Sequence, residues 1–361
     1  MKDLKKIDKN FANVETKKEL QMLDPVTTDV LSVYGLEWFK EDKKYIRCPL
    51  SKWDMIKNLA EGLYALVEQP AGSMIAFYSD TTTLKIDVLM GGNFHMAHMA
   101  FTGQGGCDLY MGEDFESLKF FRTASFPINN LAYSFTYFEN INKKKRLFLI
   151  NLPLYASVEK ISIGVDQDAK IEKANLFEKG KIVCYGTSIT QGGCASRPGM
   201  CYTNILSRRT GYEVMNFGFS GNGRGQKEIA EMLSEIKDVK MFILDYEANA
   251  TLDMLKNTLD DFIDTLRMKY KEVPIIVLSK VRMSNEYHFE ANKKAQQKSL
   301  NFQKQTVKKH QAKDKNIYFI DGHKLIGDRD TECSVDGAHL TDLGFYKFAL
   351  KLEKYIEKII K

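Results

Sequence analysis

Nowhere in the 361 residues does an uninterrupted apolar run approach the about eighteen positions that a membrane-crossing helix needs. The N-terminal stretch MKDLKKIDKNFANVETKKEL has basic residues but no apolar segment of signal-peptide length, so the expectation is a cytoplasmic protein with no membrane partner. Cysteine is sparse and unframed. Cys48, Cys107, Cys184, Cys194, Cys201 and Cys333 are dispersed, which argues against a disulfide scaffold and predicts reduced thiols, although Cys194 and Cys201 lie close enough to cross-link a loop. Also missing is a basic stripe interleaved with aromatics. The net charge of +5 comes from scattered lysines, and the run Lys143-Lys144-Lys145-Arg146 sits between apolar strand patterns as a hairpin turn does. Nucleic acid is therefore not an expected partner, while weak attraction to acidic glycans fits the charge. With 44% hydrophobic and 27% charged residues the chain has the composition of a soluble globular protein, long enough for two domains with a core each.

Two periods divide the chain. From about Leu63 to Val165 the apolar residues alternate: TLKIDVLM puts Leu84, Ile86 and Val88 on one face and Lys85 and Asp87 on the other, and RLFLINLPL and KISIGV behave alike. Many short strands with no amphipathic helix between them predict an all-β sandwich or jelly roll. His95 and His98 invite a metal reading, but residues three apart in a strand point to opposite faces, so they are not expected to share an ion. The polar stretch DQDAKIEKANLFEKG predicts a domain boundary between Asp166 and Gly180, giving domains 1–172 and 173–361. Beyond it, strand-like runs end at Gly186, Gly218, Tyr246, Lys280 and Asp321 with helical patterns between. Leu252, Leu255, Leu259, Phe262 and Leu266 make one helix face, and the segment after Thr341 another. Alternating strand and helix predicts an α/β domain with a mostly parallel sheet covered on both faces.

The stretch KIVCYGTSITQGG, Lys181 to Gly193, ends a core strand on Ser188. Serine and glycine are common turn punctuation, yet open α/β folds place their chemistry at this edge of the sheet. A serine nucleophile needs a base held by a carboxylate, and SVDGAHLTDLGF supplies Asp336 and His339 three apart in a glycine-containing turn before the last helix. An oxyanion needs donors: Gly221 in NFGFSGNGRG lets its backbone N–H approach a ligand, Asn249 in ILDYEANA offers a side-chain amide, and Ser188 its own N–H.

In this order, Gly186-Thr187-Ser188, Asn216 with Gly221, Asn249, and Asp336-x-x-His339 resemble the four blocks of the SGNH (GDSL) hydrolase superfamily. YGLEWFKEDKKYIRCPLS and MAFTGQGGCDLYMG look like segments of the β-sandwich that precedes the catalytic domain in two-domain bacterial members. The resemblance implies a three-layer, doubly wound, flavodoxin-like catalytic domain after a jelly-roll-like sandwich. It implies Ser188 as nucleophile, His339 as general base and acid, Asp336 as its orienter, and Ser188, Gly221 and Asn249 as oxyanion hole. The expected activity is hydrolysis of a small acyl ester, an acetyl group on a carbohydrate, with no metal or organic cofactor. Two blocks depart from the family spelling: GTSIT stands for GDSL, and Glu247-Ala248-Asn249-Ala250 for Gly-x-Asn-Asp. Arg197 is a candidate substrate contact, and Trp38 or His98 could wall the pocket.

Two other readings stay open. The same residues could pass the acyl group to another hydroxyl, as an acyltransferase. Alternatively Gly221-Asn222-Gly223-Arg224-Gly225 could cradle phosphate in a nucleotide-binding module, although its spacing is Gly-x-Gly-x-Gly and its strand is second in its half. Acyl and alcohol specificity and oligomeric state have no readable signal.

Overall fold

The computed structural model of the protein describes residues 16–93 and 95–360. Among these residues the first half supplies ten strands: β1 (Leu20–Leu23), β2 (Ser32–Tyr34), β3 (Met74–Ser79), β4 (Leu84–Asn93), β5 (Asp108–Gly112), β6 (Lys119–Thr123), β7 (Ala132–Phe138), β8 (Arg146–Asn151), β9 (Ala156–Asp166) and β10 (Ile171–Lys173). They pair antiparallel into one sheet ordered β1-β9-β4-β7 and another ordered β10-β3-β8-β5-β6, with β2 beside β3. The alternation in β4 sorts as expected, with Leu84, Ile86 and Val88 buried and Lys85 and Asp87 at the surface side. Ile86 and Phe135 of the first sheet meet Phe77, Phe148 and Ile150 of the second in a single core. Burying each such side chain contributes roughly 1.5–3 kcal/mol.

The extended reading from Leu63 needs a correction. Short helices α1 (Phe39–Asp42), α2 (Trp53–Leu59), α3 (Leu63–Val67) and α4 (Phe101–Gln104) interrupt the strands. Leu63, Leu66 and Val67 are one face of α3, and with Ile56 of α2 they join the core of the second half, beside Phe217 and Phe219. Helices of this length carry too few turns to show a period, and it is tertiary cover that holds them.

The second half has a five-stranded parallel sheet in the order β12-β11-β13-β14-β15, from β11 (Lys181–Gly186), β12 (Glu213–Gly218), β13 (Val239–Asp245), β14 (Ile275–Leu278) and β15 (Ile317–Ile320). Each strand ends within two residues of its expected end. Its helices are α5 (Ser188–Gln191), α6 (Tyr202–Thr210), α7 (Lys227–Ser234), α8 (Leu252–Lys269), α9 (Asn285–His288), α10 (Glu290–Gln311) and α11 (Asp342–Ile359). Ile182 and Cys184 face one layer, with Tyr202 of α6 and Phe348 and Leu352 of α11. Val183 and Tyr185 face the other, with Leu233 of α7 and Leu259 and Phe262 of α8. Thr251 and Thr341 cap α8 and α11, their hydroxyls accepting from Met254 N at 3.2 Å and Gly344 N at 3.3 Å, each cap being worth about 1 kcal/mol.

The halves are joined by buried polar side chains. Arg47 is fully buried, and its guanidinium donates to Gln69 O and Leu66 O of its own half, both at 2.7 Å, and to Gly218 O at 2.6 Å across the seam. Burial pulls its pKa down to about 9, and carbonyl dipoles are what hold the charge there. All six cysteines are free and buried, so the Cys194–Cys201 pairing does not form.

Candidate active site

Ser188 stands at the first position of α5, immediately beyond β11. Thr187 caps that turn: its hydroxyl accepts from Ile189 N, while its own N–H donates to the Thr190 hydroxyl, both at 3.3 Å. Thr190 in turn donates at 2.9 Å to Asp245, a fully enclosed carboxylate at the end of β13 that also accepts from the Tyr202 hydroxyl at 3.2 Å. Burial pushes the Asp245 carboxyl up to about 7. The crowding explains the small residues: a Cβ on Gly186 would lie 2.0 Å from the Thr190 hydroxyl, and one on Gly223 would lie 1.9 Å from Gly186 O. Gly223 is therefore required by packing over the end of β11, which gives the glycine-rich loop a structural reason apart from phosphate.

His339, 151 residues along the chain, meets the serine. Its Nε2 is 2.9 Å from Ser188 Oγ, and its Nδ1 is 2.7 Å from Asp336 Oδ2. The turn bearing both residues is closed by Val335 N donating to His339 O at 2.9 Å, with Gly337 at φ +89°, a conformation natural to glycine. Asp336 Oδ1 accepts from the backbone N–H groups of Ala338 and His339 at 3.0 and 2.8 Å. Burial opposes its charge, but the bonds from the His339 ring and from those two backbone groups outweigh it and hold the carboxyl down to about 2. An ionised Asp336 fixes the proton of His339 on Nδ1 and leaves Nε2 to accept from serine. The His339 and Asp336 side chains are 27% and 34% exposed, so reagents in solution can reach them.

In the loop that follows β12 and packs over the end of β11 the geometry is less expected. Gly221 takes φ +69° with open space where a Cβ would be, and the two backbone N–H groups facing the inner atom of the Asn249 amide assign that atom as the oxygen, which then accepts from Gly221 N at 2.7 Å and Asn222 N at 3.1 Å. The fold thus brings the two expected donors together but directs the Gly221 N–H at Asn249, whose amide nitrogen is left facing away from that pair. Ser188 N–H, at a helix start, has no intrahelical acceptor. The loop is braced from beneath by Gln191, whose amide accepts from Ser220 N at 3.0 Å and donates to Gln69 and to Leu154 O of the first half. Gln191 stood in plain view after Thr190, but nothing in one sequence marks a buried amide as a brace.

The first half also reaches the site. Tyr155 OH lies 3.5 Å from Ser188 O. The segment bearing His95 and His98 is a turn beyond β4, not a strand, so the alternation expected of that pair does not apply. The two rings part company all the same: His95 packs on Phe101 at 5.9 Å between centroids, while His98 faces His339 at 5.6 Å with its Nε2 3.9 Å from Asp336 Oδ2. Trp38 packs edge-on against Phe217 instead. Arg197 pairs with Asp108 at 2.5 Å and with the Tyr110 hydroxyl at 2.8 Å, and lies 3.8 Å over the Phe120 ring. Its guanidinium is thus committed to the seam between the halves.

Residues 20–171 match the model of the N-terminus of SGNH hydrolase-type esterases, with a GxDLY motif spelled here by Gly106 to Tyr110, and residues 179–357 match that of the GDSL-like lipase/acylhydrolase family. A solved structure from Bacteroides ovatus, described as a GDSL-like lipase, is 31% identical, with TM-score 0.85 over 94% of this chain and 98% of that one. The chain belongs to the GDSL-like lipase/acylhydrolase family. Membership makes it a carboxylic ester hydrolase of SGNH type. At lower identity the likeness is one of fold. The salicylyl-acyltransferase of a tetracycline biosynthetic pathway aligns with TM-score 0.79 and 16% identity over 95% of this chain and 99% of that one. A family two carbohydrate esterase from Cellvibrio japonicus aligns with 0.61 and 11% over 95% and 98%. No curated protein matches the chain. Among the described residues of this GDSL-like hydrolase, no helix is long and apolar enough to cross a membrane. The block that departs from the family spelling, at Glu247 and Ala250, is also the one whose asparagine, Asn249, bonds otherwise than expected.

Proposed function

We propose that the protein is a serine esterase that releases small acyl groups, acetyl foremost, from a carbohydrate, with Ser188, His339 and Asp336 as triad. The observation that carries the reading is the continuous relay from Ser188 Oγ through His339 to Asp336, at 2.9 and 2.7 Å. As Ser188 attacks the ester carbonyl, His339 Nε2 takes its proton. The oxyanion is met by Ser188 N–H and the Asn249 amide nitrogen, with Gly221 N–H joining once the inward amide yields it, each donor being worth roughly 3 kcal/mol in the barrier. The alcohol leaves with the proton from His339, and water repeats the steps on the acyl-enzyme. No step calls on a metal or organic cofactor.

The carbohydrate is supported by the family two carbohydrate esterases that share the fold, one from Clostridium thermocellum solved with cellohexaose. In this reading the catalytic unit, 173–361, is a doubly wound flavodoxin-like domain, and 1–172 a jelly-roll-like sandwich. Arg197 is a strut between them and not a substrate contact. A screen of nitrophenyl acyl esters and acetylated sugars against wild type and Ser188→Ala tests the proposal. Acetate release by wild type that vanishes in the variant is the expected result. Transfer to an added sugar exceeding acetate release would make the protein an acyltransferase.

A further inference from the structure

Cys194 and His98 have no part in the chemistry above, yet both side chains sit at the catalytic histidine. One nitrogen from His98, the Cys194 sulfur and one nitrogen of His339 all lie within 4.8 Å of one another. We propose that these three side chains form a binding site for a thiophilic divalent cation of the zinc class, and that filling it switches ester hydrolysis off.

The donor set is the first argument. Two neutral imidazoles and a thiolate, formed as Cys194 releases its thiol proton to solvent on metal binding, are soft and borderline ligands of the kind zinc takes, at about 2.0–2.1 Å to nitrogen and 2.3 Å to sulfur. Around one tetrahedral ion these bond lengths put the two nitrogens roughly 3.3 Å apart and each nitrogen roughly 3.6 Å from the sulfur, so the observed cluster needs to contract by at most about 1.5 Å. The fourth position falls to water.

Placement is the second argument, since the three donors come from separate parts of the chain. His98 is carried in by the turn beyond β4, and His339 by the turn before α11. Cys194 has φ +74°, a left-handed conformation uncommon for a residue with a side chain. It follows Gly193, which passes so near the ring that a Cβ there would lie 3.3 Å from His339 Cδ2. Asp336 bonds His339 and lies near His98, which is the position of a carboxylate that orients metal-bound imidazole and offsets the charge of the ion.

Inhibition follows from the relay. Both ring nitrogens of His339 are occupied, one by Ser188 and the other by Asp336. Whichever nitrogen coordinates, one link is broken. The metal-free protein is thus the active form.

The test begins with chelator-treated protein, nitrophenyl acetate and a zinc titration. Zinc should inhibit, with the rate restored by EDTA. His98→Gln and Cys194→Ser, each measured against its own metal-free rate, should need at least ~10-fold more zinc, as expected when a metal site loses a ligand. Independently of any turnover, Ser188→Ala titrated with cobalt(II) should develop a thiolate-to-cobalt charge-transfer band that Ser188→Ala/Cys194→Ser lacks. Absence of the band overturns the site even if the esterase reading stands. The site survives if the band forms in a protein that hydrolyses no ester. No zinc inhibition in an active wild type, or inhibition that only one variant or neither relieves, also overturns it.

Discussion

The serine-histidine-aspartate relay and the glycine-rich loop after β12 are built differently. The relay is local: Asp336 and His339 share one turn, and backbone groups of that same turn hold the carboxylate. The loop is held from a distance, by Arg47 on Gly218 O and by Gln191, Gln69 and Leu154 beneath Ser220. In the proposed mechanism the proton therefore moves within the second half, whereas the loop proposed to stabilise charge is shaped by both halves. A change to the relay should remove activity and leave the fold, while a change to the bracing should touch both.

The largest effect expected is from Ser188→Ala or His339→Ala, each losing roughly 10⁴–10⁶ in kcat with thermal unfolding near that of wild type. Asp336→Asn should retain more activity than either, since Ser188 and His339 keep their contact. Steady-state kinetics beside a melting curve checks all three. Next comes Asn249→Ala, expected to lose about 10²–10³ in kcat with little change in KM if its amide meets the oxyanion. An unchanged kcat would place the burden on Ser188 and Gly221 N–H alone. Arg47→Met should lower kcat less, but should destabilise by about 1–3 kcal/mol for each carbonyl left unpaired, read by denaturant unfolding. If it left both stability and kcat intact, the contrast between relay and loop would fail.

The smallest effect concerns pH. Asp245 keeps its proton up to about 7 in the folded protein, whereas its ordinary value is 3.8. Between those values the unfolded chain has already released the proton and the folded one has not. Stability should therefore fall as pH rises from about 4 to about 7, and level off above. Asp245→Asn should remove this part of the dependence in melting temperatures taken across that window.

Much of the relay is legible in the sequence because its parts are sequence-local or stand at strand ends. Ser188 follows an apolar run, and Asp336 and His339 are three apart beside a glycine. The parallel strands were equally readable, since their apolar runs end at turns. The bracing had no such signature. Arg47, Gln69 and Gln191 are polar residues whose role exists only once the halves meet, and α2 and α3 take their apolar partners from the other half. His98 reads as part of a strand because apolar alternation runs up to it, and the turn that aims it at His339 depends on contacts far along the chain.

The central claim is the contact between a serine and a histidine brought together from opposite ends of the catalytic half. Intact-mass and peptide mass spectrometry after brief exposure to a fluorophosphonate tests it most directly. One adduct is expected, on the peptide holding Ser188, formed orders of magnitude more slowly in His339→Ala. Labelling at another residue, or at an undiminished rate without the imidazole, would contradict it.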